Sequence, residues 1–311
     1  MDEAPGGLVA FRPNLPLSGG TGSGTVSAWP SDMFHAVLIG INAYSDEKIR
    51  DLQFARADAE ALAALLNARV EGSRHVTVLL DERATKSRIA RVMTDELPRE
   101  VSEDDDVLIF FAGHGSPEVD VSCGDPSIHV ITHDTSFTRL ASTAINMVSE
   151  LSAWVRRLQA RQVAVVVDAS FNGGAGGRTF EGPGLWSGPR TRRLDRVSLN
   201  RLAFGRQGTI LTACSDKEAA HEDWAYQHGV FTYHLLDTLA RAPVGPLSLA
   251  GIYENVAGAV RTATKGAQNP AIHSSRASQP LFRLVPSGPS TPSEPSSLSG
   301  PSSSVPPTLA V

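Results

Sequence analysis

Cysteine is almost absent from this sequence. Its 311 residues include two, Cys123 and Cys214, too few for a disulfide framework or a four-thiolate zinc site. No cysteine–histidine pair has the spacing of zinc ligands. No apolar run approaches the ~18 residues of a membrane helix, so no membrane partner is expected. The opening MDEAPGGLVAFRP lacks the basic start and apolar core of a secretory leader. Basic charge is not in excess: 28 Lys+Arg face 33 Asp+Glu, for a net charge of −5, which argues against a nucleic-acid partner. The glycine-rich stretches GGTGSGT (19–25) and GGAGGRT (173–179) lack the lysine and spacing of a phosphate loop. The acidic EDDD (103–106) lacks the spaced ligands of a calcium loop and reads as a solvated turn. What remains is a cytoplasmic protein with one buried core, for which neither a metal nor a cofactor is expected.

What is present divides the chain. Residues 286–311, PSGPSTPSEPSSLSGPSSSVPPTLAV, are mostly Ser, Pro and Gly. They offer little apolar surface to offset the entropy of ordering them, and they read as a disordered tail or a linker to a further domain or partner. Residues 1–31 read as irregular, which leaves a folded unit over 32–285. Inside it, apolar runs alternate with amphipathic stretches. HAVLIGI (35–41), VTVLL (76–80), VLIFF (107–111), VAVVV (163–167) and TILTA (209–213) read as buried strands, with PLFRL (280–284) as a candidate last one. Helices are expected at 58–66, from Thr85 to Leu97, from Ile145 to Leu158, and over 231–241 and 248–263. The alternation predicts an α/β fold: a mostly parallel sheet of about six strands with helices on both faces.

Ligands of such sheets bind beyond the carboxyl ends of the strands. There the sequence places Ala112-Gly113-His114-Gly115 after the third strand and Asp168-Ala169-Ser170-Phe171-Asn172-Gly173-Gly174 after the fourth. Flanking glycines let a substrate approach the backbone closely. A histidine and a hydroxyl at one sheet edge form the minimal pair for acyl transfer, a base and an attacking atom. A serine-hydrolase reading fits less well. DASFN is not the G-x-S-x-G elbow, and the downstream His221, His228, His234 and His273 lack the glycine setting of His114.

From the opening strand HAVLIGINAY through VLIFFAGHG and VVVDASFNGG to HGVFTYHLLDTL, the chain resembles the caspase-like cysteine peptidases, in particular the bacterial branch near the metacaspases. The 56 positions between His114 and Ser170 suit that resemblance. It implies a three-layer sandwich and peptide-bond hydrolysis by a Cys–His dyad. It casts His114 as general base, position 170 as nucleophile, and the backbone N–H groups of Gly115 and Ser170 as the oxyanion hole. The family has cysteine where this chain has Ser170, and a hydroxyl is a far weaker nucleophile than a thiolate. Either Ser170 is an introduced inactivating replacement, which the otherwise intact motif favours, or the chain is a natural pseudoprotease that binds peptides as a scaffold.

Metacaspases have Asp at the place of Asp168 and cut after Arg or Lys, so the resemblance implies a protein substrate with a basic residue before the scissile bond. The alternative is an Asp168 satisfied by nearby backbone N–H groups. Asp134 and Glu222 are further candidates for the substrate pocket, and Asp58 reads as a helix cap. Glu218 and Asp223 could extend the acidic surface, with Trp224 as an apolar wall. The segment 178–206 carries seven arginines. Arg192 and Arg193 are the candidate self-cleavage site, and a solvated basic loop is the competing reading. Bacterial relatives act in defence or regulated cell death, which is an analogy only.

Overall fold

The computed structural model of the protein describes residues 33–116, 128–171, 177–180, 208–215, 218–273 and 276–286. The first strand, β1 (Met33–Gly40), leads into α1 (Ala55–Arg69) and then β2 (Ser73–Leu80), which pairs with β1 in parallel. Helix α2 (Lys86–Arg91) passes through a wide turn at Val92–Glu96 into α3 (Leu97–Glu100). Pro98 explains the widening, because it has no N–H to offer the helical ladder. Strand β3 (Asp106–Ala112) follows on the other side of β1.

A small antiparallel sheet comes next: β4 (Gly115–Ser116), β5 (His129–Val130) and, after α4 (Leu140–Thr143), β6 (Ile145–Asn146). A further wide turn at Met147–Leu151 leads to α5 (Ser152–Arg157) and β7 (Gln162–Asp168). The chain continues with β8 (Gly208–Thr212), the short pair β9 (Glu222–Asp223) and β10 (His228–Gly229), and α6 (Val230–Arg241). It ends with β11 (Gly245–Ser248), α7 (Leu249–Ala263), β12 (Ala271–His273) and β13 (Pro280–Leu284).

The central sheet has six strands in the order β12-β8-β7-β3-β1-β2. Five run in parallel, and β12 closes one edge antiparallel to β8. Alternation along each inner strand divides the apolar side chains between two faces. Val37, Ile39, Val107, Ile109, Phe111, Val163, Val165 and Val167 join one core, covered by Ile89, Met93, Leu151 and Trp154. Ala36, Leu38, Leu108, Phe110, Ala164 and Val166 join the other, covered by Leu62, Leu66, Phe231, Leu235, Ile252 and Val256. Burying each large aliphatic or aromatic side chain contributes about 1.5–3 kcal/mol, so both faces anchor the sheet.

Three expectations are corrected. PLFRL is a strand, but β13 pairs with β11 outside the central sheet, and the sixth central strand is β12. The expected helix from Ile145 starts only at Met147, because Asn146 Oδ1 accepts from the N–H groups of Val148 and Ser149, both at 2.9 Å. The EDDD turn is half buried: Asp105 accepts from Met33 N at 3.0 Å and Ser102 N at 2.8 Å, while Asp106 pairs with Arg161. Among the described residues no helix is long and apolar enough to cross a membrane.

Candidate active site

Strands β3 and β7 end level with one another. Ala112 lies opposite Asp168, and Gly113 N donates to Asp168 O at 3.3 Å. His114 and Ser170 therefore leave neighbouring strands at the same carboxyl edge, and both are buried.

The histidine is fixed from two sides. Its ring stacks on Tyr44 with centroids 5.1 Å apart, and its backbone N–H donates to the Tyr44 hydroxyl at 3.0 Å. Its Nε2 lies 2.6 Å from Arg50 O. A carbonyl can only accept, so Nε2 carries the proton and Nδ1 keeps a lone pair. Nδ1 is buried and has no hydrogen-bond partner among the described residues. Burial chiefly, with the nearby charges of Arg50 and Arg178, pushes the His114 pKa down to about 4. At neutral pH the ring is an uncharged base.

Two backbone N–H groups converge on one oxygen. Gly115 N donates to Arg178 O at 3.1 Å, and Ser170 N donates to the same oxygen at 3.0 Å. Two donors on one oxygen is the pattern an oxyanion hole requires, and here the oxygen is a carbonyl of the chain itself. Gly115 has to be glycine, since a Cβ there would lie 2.5 Å from Ser170 O. The Ser170 hydroxyl accepts from Ala220 N at 2.5 Å.

The side chain of Arg178 enters a buried acidic pocket. Its Nη1 lies 2.9 Å from Asp168 Oδ2, and its Nη2 lies 2.5 Å from Asp58 Oδ2 and 3.2 Å from Glu222 Oε1. Thr232 Oγ1 donates to Asp168 at 2.6 Å. His228 Nδ1 and the N–H of Gly229 hold Asp58, at 2.7 and 3.2 Å. Glu222 also accepts from Gln53 N at 2.9 Å and Phe54 N at 2.8 Å, which fixes the chain where it enters α1. Burial pushes the Asp168 pKa up, and the Arg178 guanidinium opposes it. Gly229 leaves room for the guanidinium: a Cβ there would lie 2.5 Å from Asp168 Oδ2 and 2.9 Å from Arg178 Cζ.

Of the sequence candidates, the structure gathers His114, Gly115, Asp168, Ser170 and Glu222 at this edge. Asp134 is elsewhere: its Oδ1 takes the N–H of Lys86, which opens α2, and the hydroxyl of Thr132, both at 2.8 Å. Asp58 does not cap its helix; it sits fully buried in the first turn of α1 and faces Arg178. Glu218 binds Asn269, and Asp223 holds a turn through Ala225 N. Trp224 is 70% exposed and meets Phe54 edge-on. Cys214 is buried, with Sγ 3.6 Å from Ala169 O. Arg192, Arg193 and Cys123 lie outside the described residues.

Sequence reasoning missed Tyr44, Arg50, Ala220, Gly229 and Thr232. The dipeptide His228-Gly229 just before an amphipathic helix was the one available signal. Among the described residues only His35, His75 and Glu100 cluster closely enough to ligate an ion. His35 and His75 lie near the amino-terminal ends of β1 and β2, the sheet edge opposite the site, Glu100 ends α3, and His75 already pairs with Glu100 at 2.5 Å.

A family model, the caspase domain, matches residues 33–282. The chain thus belongs to the caspase-domain family, whose general activity is that of a cysteine-type peptidase acting on proteins. Among solved structures it is similar to a protein of Geobacter sulfurreducens, at 20% identity over 77% of this chain and 92% of that one, with a TM-score of 0.55. It is also similar to caspase-1 of Spodoptera frugiperda, at 13% identity over 82% and 89% of the two chains, with a TM-score of 0.52. At these identities the likeness is one of fold. A search of curated proteins returned no match.

Proposed function

We propose that this chain is built as an endopeptidase that cuts after Arg or Lys, with His114 as base and position 170 as nucleophile. One observation carries the specificity: Asp58, Asp168 and Glu222 converge on the guanidinium of Arg178, the backbone carbonyl oxygen of which rests on Gly115 N and Ser170 N. A substrate arginine in that position has its charge paired and its carbonyl polarised at once. The nucleophile's proton passes to His114 Nδ1, and the same atom returns it to the leaving amine.

Ser170 stands where the family resemblance places cysteine. An inactivating replacement accounts for an otherwise complete site. A second reading, a peptide-binding pseudoprotease, is favoured by the Ser170 hydroxyl itself, which accepts from Ala220 N rather than bonding to His114. The proposed setting is cytoplasmic, with defence or cell death as the analogous role.

The test is a Ser170→Cys chain assayed on peptide reporters ending in Arg, Lys and Asp. Turnover of the Arg and Lys reporters at least about 100-fold above the Asp reporter is expected, as a desolvated charge pair would give. Turnover of the Asp reporter alone would refute the basic specificity. Failure on all three, from a folded chain, would leave the scaffold reading.

A further inference from the structure

We infer that His35, His75 and Glu100 form a divalent-metal site of the zinc type, which fastens the edge strand β2 to β1 and α3. The inference is independent of the peptidase reading. The backbone brings the ligands together. His35 and His75 are register partners on the parallel strands β1 and β2, so both side chains leave the same face of the sheet. That is the face of Val37 and Ile39, which share one core with Ile89, Val92 and Leu97 of the α2–α3 segment, and α3 ends on Glu100. One nitrogen from each histidine and one Glu100 oxygen all lie within 4.8 Å of one another. The two histidines belong to separate strands, so no local spacing in the sequence marks them as a pair, and the expectation of no metal follows from that.

An exposed ion pair accounts for His75 and Glu100 but not for His35. The His35 side chain is 1% exposed and lines a cavity of about 190 Å³ together with the other two. Neither of its ring nitrogens has a hydrogen-bond partner among the described residues, although buried polar groups are normally bonded. Its Nε2 lies 3.4 Å from Asp105 Oδ2, and the N–H groups of Met33 and Ser102 hold that carboxylate. A metal-bound imidazole commonly gives its second N–H to a carboxylate placed in this way. Imidazole nitrogen and carboxylate oxygen suit zinc, and three protein ligands leave a fourth tetrahedral position for water. Ligands around such an ion stand about 3.3 Å apart, so His75 Nδ1 and Glu100 Oε2 have to open from 2.5 Å. Their side chains are 52% and 43% exposed, which gives them room to turn. Arg88, which also lines the cavity, is paired with Glu96 and does not oppose the cation. The cluster sits at the sheet edge opposite His114, so the ion stiffens that edge and takes no part in peptide hydrolysis.

The test is a calorimetric titration of Zn²⁺ into the full, tag-free chain. Ser170 is kept, because a thiol at that position would offer a competing ligand. The expected result is a single ion bound with a Kd of about 10 μM or tighter, and a thermal midpoint raised by about 5 °C at saturation. His75→Ala and Glu100→Gln should each weaken Zn²⁺ binding at least about 100-fold. Glu100→Gln keeps the size of the side chain and decides the matter if His75→Ala folds poorly. A Kd above about 10 μM in the unaltered chain, or one that neither variant changes, overturns the inference.

Discussion

Gly229 shows how much can depend on one missing methyl group. Its φ is −60°, which any residue adopts, so an added Cβ costs no backbone strain and acts by bulk alone. Gly229→Ala is expected to push the basic side chain out of the pocket. In the Ser170→Cys background, kcat/KM for an Arg reporter should fall at least about 100-fold, roughly 3 kcal/mol of lost transition-state binding. An unchanged kcat/KM would separate Gly229 from the pocket. His114 and His129 make a second residue-scale case. Burial is the main cause that holds both pKa values near 4, with Arg50 and Arg178 charges adding at His114 and Lys86 at His129. Between the ordinary histidine value of 6.5 and about 4, the unfolded chain binds protons that the folded chain refuses. Stability therefore falls as pH drops through that window and is fully present above it. Each group contributes up to about 3 kcal/mol. Thermal melts from pH 7 to pH 4 should show the loss, and His129→Gln should make it shallower.

At the scale of elements, most of the architecture was legible and the exceptions have local causes. The buried parallel strands announce themselves as unbroken apolar runs, since both of their faces need apolar side chains. Strand β12 carries no such run: Ala271, Ile272 and His273 are all half-buried at a sheet edge. Helix α5 and its lead-in read as a longer helix because Ile145 fits the apolar period, whereas Asn146 ends that period by capping from the side. Replacing Asn146 by Ala removes the acceptor for two N–H groups. A loss of about 1 kcal/mol is expected, read as a lower urea midpoint at constant m-value. No shift in the midpoint would mean that water replaces the cap.

For the whole molecule, the proposed pair was legible and the acidic pocket beside it largely was not. His114 and Ser170 each follow a strand directly, so the rule that sites gather at carboxyl ends finds them. The pocket is assembled across the chain, and 120 positions separate Asp58 from Arg178. No local pattern marks Asp58 as a pocket residue, because a carboxylate in the first turn of a helix has an ordinary role there. Asp134 misled for the same reason: its charge suited a pocket, but its neighbours Lys86 and Thr132 already use it.

Glu222 touches the guanidinium with one carboxylate oxygen and, with both oxygens, the two amides just ahead of α1. Whatever fills the pocket is thereby coupled to how often that helix frays. Filling it with a cationic side chain should slow deuterium uptake at Gln53 and Phe54, and emptying it should quicken uptake there. Those two amides are thus a remote gauge of occupancy, readable even in a chain that cuts nothing.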